Sequence, residues 1–443
     1  MHIFTHFFAS SSYTAFTSRG KVPHFLLAIE KTYVVGGFFR RNHENAVDDL
    51  DKIVHEVNAL KFNAKKNIQL KLPDTTRARF EKYGIDLSKG YPYIPSAENI
   101  PVYVDEVEAI RSQEVPFTDR GKNADPQKKS LFSAAKEVKD LTKHIGTEIV
   151  GLQLSDLTDQ QKDELALLIA ERVVVFFRDQ DLSPQKQLEL GKYWGNVEVH
   201  AQAPRVPGLK NGDGTPLNGT TVIWPDLARA NGVKINFKNG GKVGTAKWHT
   251  DLPHEFQPAG ITHLHLDAIP DVGGDTSWVS GYAAFDKLSP ALQKFLEGKE
   301  AVHASLHNYL DRNDPFSGGK KVLRKHPLVR THPATGWKSL YVNRGHTQYI
   351  VGLEPEESKI ILEFLYSVYE RNLDIQVRFN WKSSKPGLGT SALWDNRISQ
   401  HSASWDYEGK EPRHGTRVTS LAEIPFYDPN SKSQRQALGL SLD

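Results

Sequence analysis

The chain has 443 residues, a length that allows one large catalytic domain with extensions or two domains. Charged residues make up 25% of it and the formal net charge is only +3, with Lys and Arg interspersed among Asp and Glu, so the charge pattern argues against nucleic-acid binding. The chain contains no Cys, which excludes disulfides, thiolate nucleophiles and iron–sulfur clusters and leaves His, Asp and Glu as candidate metal ligands.

No apolar run approaches the roughly 18 residues of a membrane span, so we expect no membrane segment. Because the charge pattern gives no argument for nucleic-acid binding, a small molecule is the expected partner. The first 29 residues lack Asp and Glu and are rich in Ser, Thr and aromatic residues, a composition typical of a disordered leader or of a transit peptide. We therefore interpret residues 1–75 as a leader. Cytoplasmic location is the default expectation, and a mitochondrial one is the alternative if the leader is a transit peptide.

A turn-rich segment follows the leader. Between Tyr83 and Asp125 it contains runs such as GYPYIPSAENIP, and this content of Gly and Pro predicts an extended arm over residues 76–135. The catalytic domain is then expected over residues 136–443.

The first elements of that domain are predicted from their apolar patterns. A strand is expected over Thr147–Leu154, followed by a helix that Asp156 or Thr158 caps. The β-branched and aromatic run Val173–Phe177 indicates a buried strand, and a second helix is expected over Pro184–Trp194.

Short strands separated by Gly, Pro and Asn dominate the chain beyond Trp194, and helices interrupt them at Pro290–Leu296 and Pro355–Arg371. The pattern predicts a mostly β fold with flanking helices, arranged as a sandwich or jelly roll. The strands are expected at Gly260–Leu266, Asp275–Val279, Ser339–Val342, Ile375–Trp381 and Ser391–Trp394.

The residues that carry chemistry begin with His249 and Asp251, which point to the same side of an extended chain and can share one ion. His401, just past a predicted strand, supplies a third ligand. Two His and one carboxylate on one face of an octahedral ion form the facial triad of non-haem Fe(II) oxygenases. A Zn hydrolase on the same ligands is an alternative, and His-x-Asp alone occurs frequently by chance.

Five ordered blocks resemble one family from about Val175 to Tyr427. They are VVVFFRDQDLSPQKQLELGKYWG, WHTDLPHEFQPAG, GGDTSWVSGYAAFDKLSP, RTHPATGWKSLYVN and WDNRISQH. In these blocks the chain resembles the taurine dioxygenase-like enzymes that depend on Fe(II) and 2-oxoglutarate, most closely the fungal sulfonate dioxygenases. The resemblance implies a double-stranded β-helix, Fe(II) on His249, Asp251 and His401, and 2-oxoglutarate and O2 as cosubstrates.

The resemblance also implies two anion sites. Thr276 and Arg417 would bind the far carboxylate of 2-oxoglutarate, since a guanidinium binds a carboxylate as a planar fork. Arg413 and His200 would bind the sulfonate of the substrate, although the sequence also allows Arg413 to lie on the surface.

The family pattern is altered at the substrate pocket. Ala203 stands where the bacterial taurine enzyme has a tyrosine, and His346 stands where phenylalanine is more usual. His346 is therefore expected to face the substrate and favour a polar or anionic group, the alternative being a position in a surface loop.

The implied reaction hydroxylates an alkylsulfonate such as taurine or isethionate and releases sulfite and an aldehyde with succinate and CO2. An aryloxyalkanoate or an alkyl sulfate is the alternative substrate, because Arg413 suits any of these anions. A non-catalytic module that binds anions or a protein partner is the alternative of another class. A homo-oligomer is compatible with the resemblance, although no sequence stripe identifies an interface.

Overall fold

Two antiparallel layers of strands dominate the computed structural model, which describes residues 70–88, 90–93, 101–199, 207–230, 248–314, 319–407, 409 and 411–441. The described residues belong to one unit, Ala59–Asp443. The predicted mostly β fold with flanking helices is confirmed. The strands are β1 Glu137–Asp140, β2 Thr147–Val150, β3 Val174–Gln180, β4 Thr221–Ile223, β5 Ala259–Ala268, β6 Thr276–Ser280, β7 Glu300–Ala304, β8 Leu323–Pro327, β9 Val329–Thr331, β10 Lys338–Leu340, β11 Thr347–Ile350, β12 Gln376–Phe379, β13 Gly389–Asp395, β14 Ser399–Ala403 and β15 His414–Leu421.

The helices cover the faces and ends of these sheets. They are α1 Asp74–Lys82, α2 Val104–Arg111, α3 Lys129–Ala134, α4 Asp159–Arg172, α5 Pro184–Trp194, α6 Pro225–Ala230, α7 Gly281–Asp286, α8 Pro290–Leu296, α9 Pro355–Arg371 and α10 Gln434–Ala437. Among the described residues no helix is long and apolar enough to cross a membrane.

The larger sheet has seven strands in the order β1-β2-β3-β13-β5-β15-β4 within the described chain. Its pairs are antiparallel except β2 with β3, which are parallel. The central strands are buried along both faces, as expected for strands rich in β-branched and aromatic residues. One face packs under α4 and α5, with Val175, Phe177 and Leu393 in that apolar layer.

The opposite face of the larger sheet packs against a smaller sheet with the order β12-β6-β14. Phe176 of β3 stacks on Phe379 of β12, with ring centroids 3.8 Å apart, and Trp278 of β6 and Trp394 of β13 fill the same layer. This contact fixes β6 and β14 opposite β5 and β15. It therefore determines which side chains of the two sheets can meet.

The helices that precede and follow the strands begin at clear caps. Thr158 accepts a hydrogen bond from the backbone N–H of Gln161 at the start of α4, and Ser183 accepts one from Lys186 at the start of α5. Both helices, together with α8 and α9, appear where the sequence predicted them.

The predicted arm contains more helix than its Gly and Pro content indicated. α1, α2 and α3 lie within or at the edge of residues 76–135, so the segment is not extended throughout. The boundary at residue 136 stays a prediction. Nearly all of the predicted leader, residues 1–69, lies outside the described residues.

Candidate metal centre

His249 and His401 are held side by side by their own backbones. The two residues form an isolated antiparallel bridge, in which the N–H of His249 donates to the carbonyl of His401 (3.1 Å) and the N–H of His401 donates back (2.9 Å). His401 lies on β14, which pairs with β6. As a result the two imidazole rings are 4.2 Å apart between centroids.

Asp251 completes the group. Its Oδ1 lies 3.7 Å from Nε2 of His249 and 3.9 Å from Nε2 of His401. These separations exceed hydrogen-bond length, so the three atoms converge on a common point without bonding one another. One ligand atom of each residue lies within 4.8 Å of the others. The structure thus brings together the three ligands that the sequence predicted.

The donor set fits a divalent transition metal. Two imidazole nitrogens and a carboxylate oxygen on one side of a shared point suit Fe(II) with open positions for other ligands. Burial, together with the nearby charge of His249, lowers the pKa of His401 to about 3, so the ring is neutral, the form that binds metals. Asp251 and His401 are buried, whereas 36% of the His249 side chain is exposed, so solvent reaches the centre at His249.

Asn396 supports Asp251, and sequence reasoning did not find it. Its Oδ1 accepts from the backbone N–H of Asp251 (3.2 Å), and its Nδ2 donates to the hydroxyl of Thr262 (2.8 Å). That hydroxyl lies 3.4 Å from Oδ2 of Asp251. Partners of this kind orient metal ligands. The WDNRISQH block carried Asn396, but only the fold shows that it faces Asp251.

Arg417 lies at the metal centre. Its Nη1 is 3.4 Å from Oδ1 and 3.5 Å from Oδ2 of Asp251. A guanidinium beside a metal ligand places positive charge next to the site where the ion would bind. An anionic group bound near the metal would therefore meet Arg417.

Arg413 lies four residues before Arg417 and is also buried, but its guanidinium contacts different residues. Its Nε donates to the carbonyl of Gly274 (3.2 Å), and its Nη2 lies 3.5 Å from Oγ1 of Thr276. Trp381 donates to the same Oγ1 through Nε1 (3.0 Å). The structure therefore places Arg413, just before β15, next to Thr276, whereas Arg417 lies next to Asp251; that Thr276 and Arg417 bind the same carboxylate stays a prediction. The alternative of a surface Arg413 is wrong.

Within the part of the chain that the structure describes, the charge of Arg413 has no close counterion. Burial lowers its pKa, while Tyr407 and Asp275 raise it. Among the described residues no carboxylate lies within salt-bridge distance of its guanidinium. A buried cation of this kind is costly unless an anion binds beside it. The position next to Arg413 and Thr276 is therefore suited to a carboxylate.

His346 is buried and does not lie in a surface loop, and its orientation toward the substrate stays a prediction. Its Nδ1 bonds to the carbonyl of Ala304 (2.8 Å), and its ring stacks on that of His254 with 5.5 Å between centroids. The other two pocket residues of the sequence analysis, His200 and Ala203, lie outside the described residues.

Comparison with known proteins agrees with this geometry. Residues 137–419 match the family model described as "Taurine catabolism dioxygenase TauD, TfdA family". An alpha-ketoglutarate-dependent sulfonate dioxygenase of Saccharomyces cerevisiae is 36% identical over 327 residues, which cover 70% of this chain and 74% of the yeast protein. A Schizosaccharomyces pombe protein has the same name with a provisional prefix. It is 37% identical over 327 residues, which cover 73% of this chain and 79% of the S. pombe protein.

A solved structure shares the fold. The crystal structure of a taurine dioxygenase from Burkholderia xenovorans aligns with a TM-score of 0.52 and 29% identity, over 67% of this chain and 93% of that protein. The matched segment contains His249, Asp251 and His401 as well as Arg413 and Arg417. The chain belongs to the TauD, TfdA family of alpha-ketoglutarate-dependent dioxygenases.

Proposed function

We propose that this dioxygenase uses Fe(II) to hydroxylate an alkylsulfonate such as taurine or isethionate at the carbon that bears the sulfonate. The two separated arginines carry the proposal, one buried at Thr276 and one at Asp251. They provide two candidate anion sites, one in contact with the metal ligand Asp251 and one at Thr276. The yeast relatives, named as sulfonate dioxygenases, support a sulfonate as the second anion.

The positions of the two arginines indicate which anion each of them binds. In 2-oxoglutarate, two methylene groups separate the far carboxylate from the end that chelates a metal, so that carboxylate needs a partner away from the ion. Arg413 with Thr276 meets this requirement. In the sulfonate, the reacting carbon is bonded directly to sulfur, so the anion lies next to the metal. Arg417 meets that requirement, and the roles that the resemblance implied for Arg413 and Arg417 are therefore exchanged in our proposal.

The cofactor would be held by His249, Asp251 and His401. Fe(II) bound there would supply O2 activation coupled to the decarboxylation of 2-oxoglutarate. The chain's own residues bind and orient: Arg413 and Thr276 hold the cosubstrate, and Arg417 aligns the substrate carbon. Holding the cosubstrate and the substrate in position before they react removes the entropic cost of bringing them together during the reaction.

The overall reaction balances. One oxygen atom of O2 enters succinate and the other replaces a hydrogen on the substrate carbon as hydroxyl. The C–S bond of the resulting hydroxysulfonate then breaks, sulfite leaves with the bonding electrons, and the hydroxyl proton is released as the aldehyde forms.

We also propose that the two packed sheets form the double-stranded β-helix of the family, a scaffold whose rigid strands carry the site residues.

Sulfite release tests the proposal. Purified protein is incubated with Fe(II), ascorbate, 2-oxoglutarate and, in turn, taurine, isethionate, an alkyl sulfate or an aryloxyacetate, and sulfite and succinate are measured together. Equal amounts of sulfite and substrate-dependent succinate are expected with a sulfonate. Succinate formation that is stimulated only by the alkyl sulfate or the aryloxyacetate would replace the sulfonate by that substrate.

A further inference from the structure

The ring of His414 is held at both of its nitrogens. Its Nδ1 lies 2.7 Å from Oδ1 of Asp267, and since a carboxylate can only accept, Nδ1 carries the hydrogen. Its Nε2 lies 2.5 Å from the hydroxyl oxygen of Tyr91. Burial raises the pKa of Tyr91, so the hydroxyl keeps its proton and donates to Nε2. A tyrosine of the N-terminal arm thus fixes a histidine that is 0% exposed.

Aromatic rings also enclose His414. The centroid of its ring is 5.8 Å from that of Phe80 in α1, 5.6 Å from that of Tyr91 and 5.6 Å from that of Trp224. Phe80 and Trp224 are themselves buried. Together with the two hydrogen bonds, this close packing restricts the imidazole to one orientation.

The held histidine is next to the buried arginine of the site. His414 directly follows Arg413 and begins β15, where it pairs with Ala268 at the end of β5, one residue after Asp267. The loop between β5 and β6 carries Gly274, whose carbonyl accepts a hydrogen bond from Nε of Arg413 (3.2 Å). The bond between His414 and Asp267 therefore joins the two strand ends from which Arg413 and its acceptor extend.

The residues that hold this pair precede the segment that matches the family model, residues 137–419. Tyr91 bonds His414, and Nη1 of Arg79 lies 2.8 Å from Oδ2 of Asp267, the carboxylate oxygen that His414 does not use. The arm of this chain therefore supplies both a hydroxyl and a cation to the pair. Neither contact belongs to the segment that the chain shares with the family.

We propose that Tyr91 is a positioning residue for the binding of 2-oxoglutarate, because its hydrogen bond to His414 fixes the start of β15 and so keeps the guanidinium of Arg413 next to Thr276. This inference rests on the proposed function, in which Arg413 binds the far carboxylate of 2-oxoglutarate. Without the hydroxyl, the buried Nε2 of His414 loses its partner, which is costly. The strand end then shifts to relieve that cost, and Arg413 moves with it.

The variant Tyr91→Phe keeps the ring among its aromatic neighbours and removes only the hydroxyl. Calorimetry with Fe(II) under anaerobic conditions should show the Kd of 2-oxoglutarate raised about fivefold and the Kd of Fe(II) unchanged, since one buried hydrogen bond is lost away from the metal ligands. A rise of both Kd values by the same factor would mean a general loss of structure and would overturn the inference.

Tyr83→Phe is the matched control. Tyr83 lies in the same arm, and its hydroxyl bonds Oδ1 of Asp181 (2.5 Å), which follows β3 and not β5 or β15. The control therefore removes the same group and one hydrogen bond to the core domain, and it should keep the wild-type Kd of 2-oxoglutarate. Equal Kd values in Tyr91→Phe and Tyr83→Phe would contradict the role of Tyr91.

A double variant shows whether Tyr91 acts through Arg413. If it does, adding Tyr91→Phe to Arg413→Met should leave the Kd of 2-oxoglutarate where Arg413→Met alone puts it. The same fivefold rise in both backgrounds would show that Tyr91 acts independently of Arg413 and would overturn the inference.

The same titrations separate this inference from the proposed function. If Arg413→Met leaves the Kd of 2-oxoglutarate unchanged, the proposed role of Arg413 fails and that of Tyr91 fails with it. If Arg413→Met raises this Kd and Tyr91→Phe does not, only the role of Tyr91 is contradicted.

Discussion

Nη2 of Arg413 lies 3.5 Å from the hydroxyl oxygen of Thr276. Arg417, four residues later, lies instead 3.4 Å from Oδ1 of Asp251. The two guanidinium groups therefore contact different residues, although they belong to one short segment, and in the proposed function they bind different anions. This separation is the basis of the first prediction.

Substitution of the two arginines should affect different ligands. Arg413→Met should raise the Kd of 2-oxoglutarate by roughly 10- to 100-fold, because a charge-assisted bond to its far carboxylate is lost. Arg417→Met should leave that Kd nearly unchanged and lower kcat/KM for the sulfonate by a similar factor. Calorimetry under anaerobic conditions measures the first quantity, and sulfite release measures the second. A loss of 2-oxoglutarate binding in Arg417→Met alone would restore the original assignment.

A buried ion cluster around Arg397 should contribute strongly to the free energy of unfolding. The Arg397 side chain is 3% exposed, and its guanidinium lies 2.6 Å from Asp119, 2.6 Å from Asp395 and 3.1 Å from Glu423. Arg397→Met should lower the free energy of unfolding by roughly 3–5 kcal/mol, because it leaves buried carboxylates unpaired. Chemical denaturation measures this change.

The matched control for Arg397 is an exposed arginine with two carboxylate partners. Arg378 bonds Asp275 and Asp406, and 56% of its side chain is exposed. Arg378→Met should cost less than about 1 kcal/mol, since solvent screens these pairs. Equal losses of stability in the two variants would show that the Arg397 cluster contributes no more than a surface pair.

The helix α1 should support β15, which carries Arg417 and follows directly after Arg413. Asp267 of β5 accepts hydrogen bonds from Thr76 (2.7 Å) and Arg79 (2.8 Å) of α1 and bonds Nδ1 of His414 (2.7 Å). Burial opposes ionisation of Asp267, but His414 and Arg79 outweigh it and lower its pKa.

Asp267→Asn should therefore lower the free energy of unfolding by roughly 3 kcal/mol, because Arg79 loses its buried partner. Thermal and urea unfolding provide the measurement. Asp181→Asn is the control, since Asp181 bonds Lys82 of the same helix but is about half exposed. If Asp267→Asn were as stable as Asp181→Asn, α1 would not be anchored by this network.

Acid should destabilise the protein through its buried neutral histidines. Burial lowers the pKa of His326 from 6.5 to about 4, although its bond to the carbonyl of Glu255 opposes the shift. Between pH 6.5 and 4 the unfolded chain binds a proton here that the folded chain does not. Stability is therefore lost as the pH falls through this interval, with a slope of up to about 1.4 kcal/mol per pH unit from this residue.

His326→Gln tests that slope. Urea unfolding at pH 7.5, 6.0 and 5.0 should show a weaker pH dependence in the variant than in the wild type. His307→Gln, at an exposed ring, should keep the wild-type dependence. An unchanged slope in His326→Gln would mean that the folded state protonates this histidine as readily as the unfolded state does.

Much of the fold follows from local sequence signals. The helices Pro184–Trp194 and Pro290–Leu296 have the predicted bounds, because a Ser cap followed by Pro fixes where each begins. The strand predicted from Val173 begins one residue later. Val173 has a φ of +73° and ends the preceding helix, a conformation that a β-branched residue rarely adopts and that sequence pattern alone does not indicate.

The remaining features depend on contacts between distant residues. α1 has no side-chain cap, and its Arg79 finds its partner Asp267 188 residues away, so the arm's helices could not be predicted from local pattern. The metal ligands were predicted because His249 and Asp251 lie two residues apart and because they and His401 fall in blocks that resemble one family. The pairing of Thr276 with Arg413 was not, since it depends on how the two sheets pack face to face.

The measurement that tests the central claim most directly is CO2 release from labelled 2-oxoglutarate by the wild type and by Asp251→Ala, each with and without Fe(II). The account predicts release by the wild type that requires Fe(II) and is stimulated by a sulfonate, and none above background by Asp251→Ala, whose removed carboxylate faces both His249 and His401. Fe(II)-dependent release by Asp251→Ala at the wild-type rate would contradict the assignment of the metal centre.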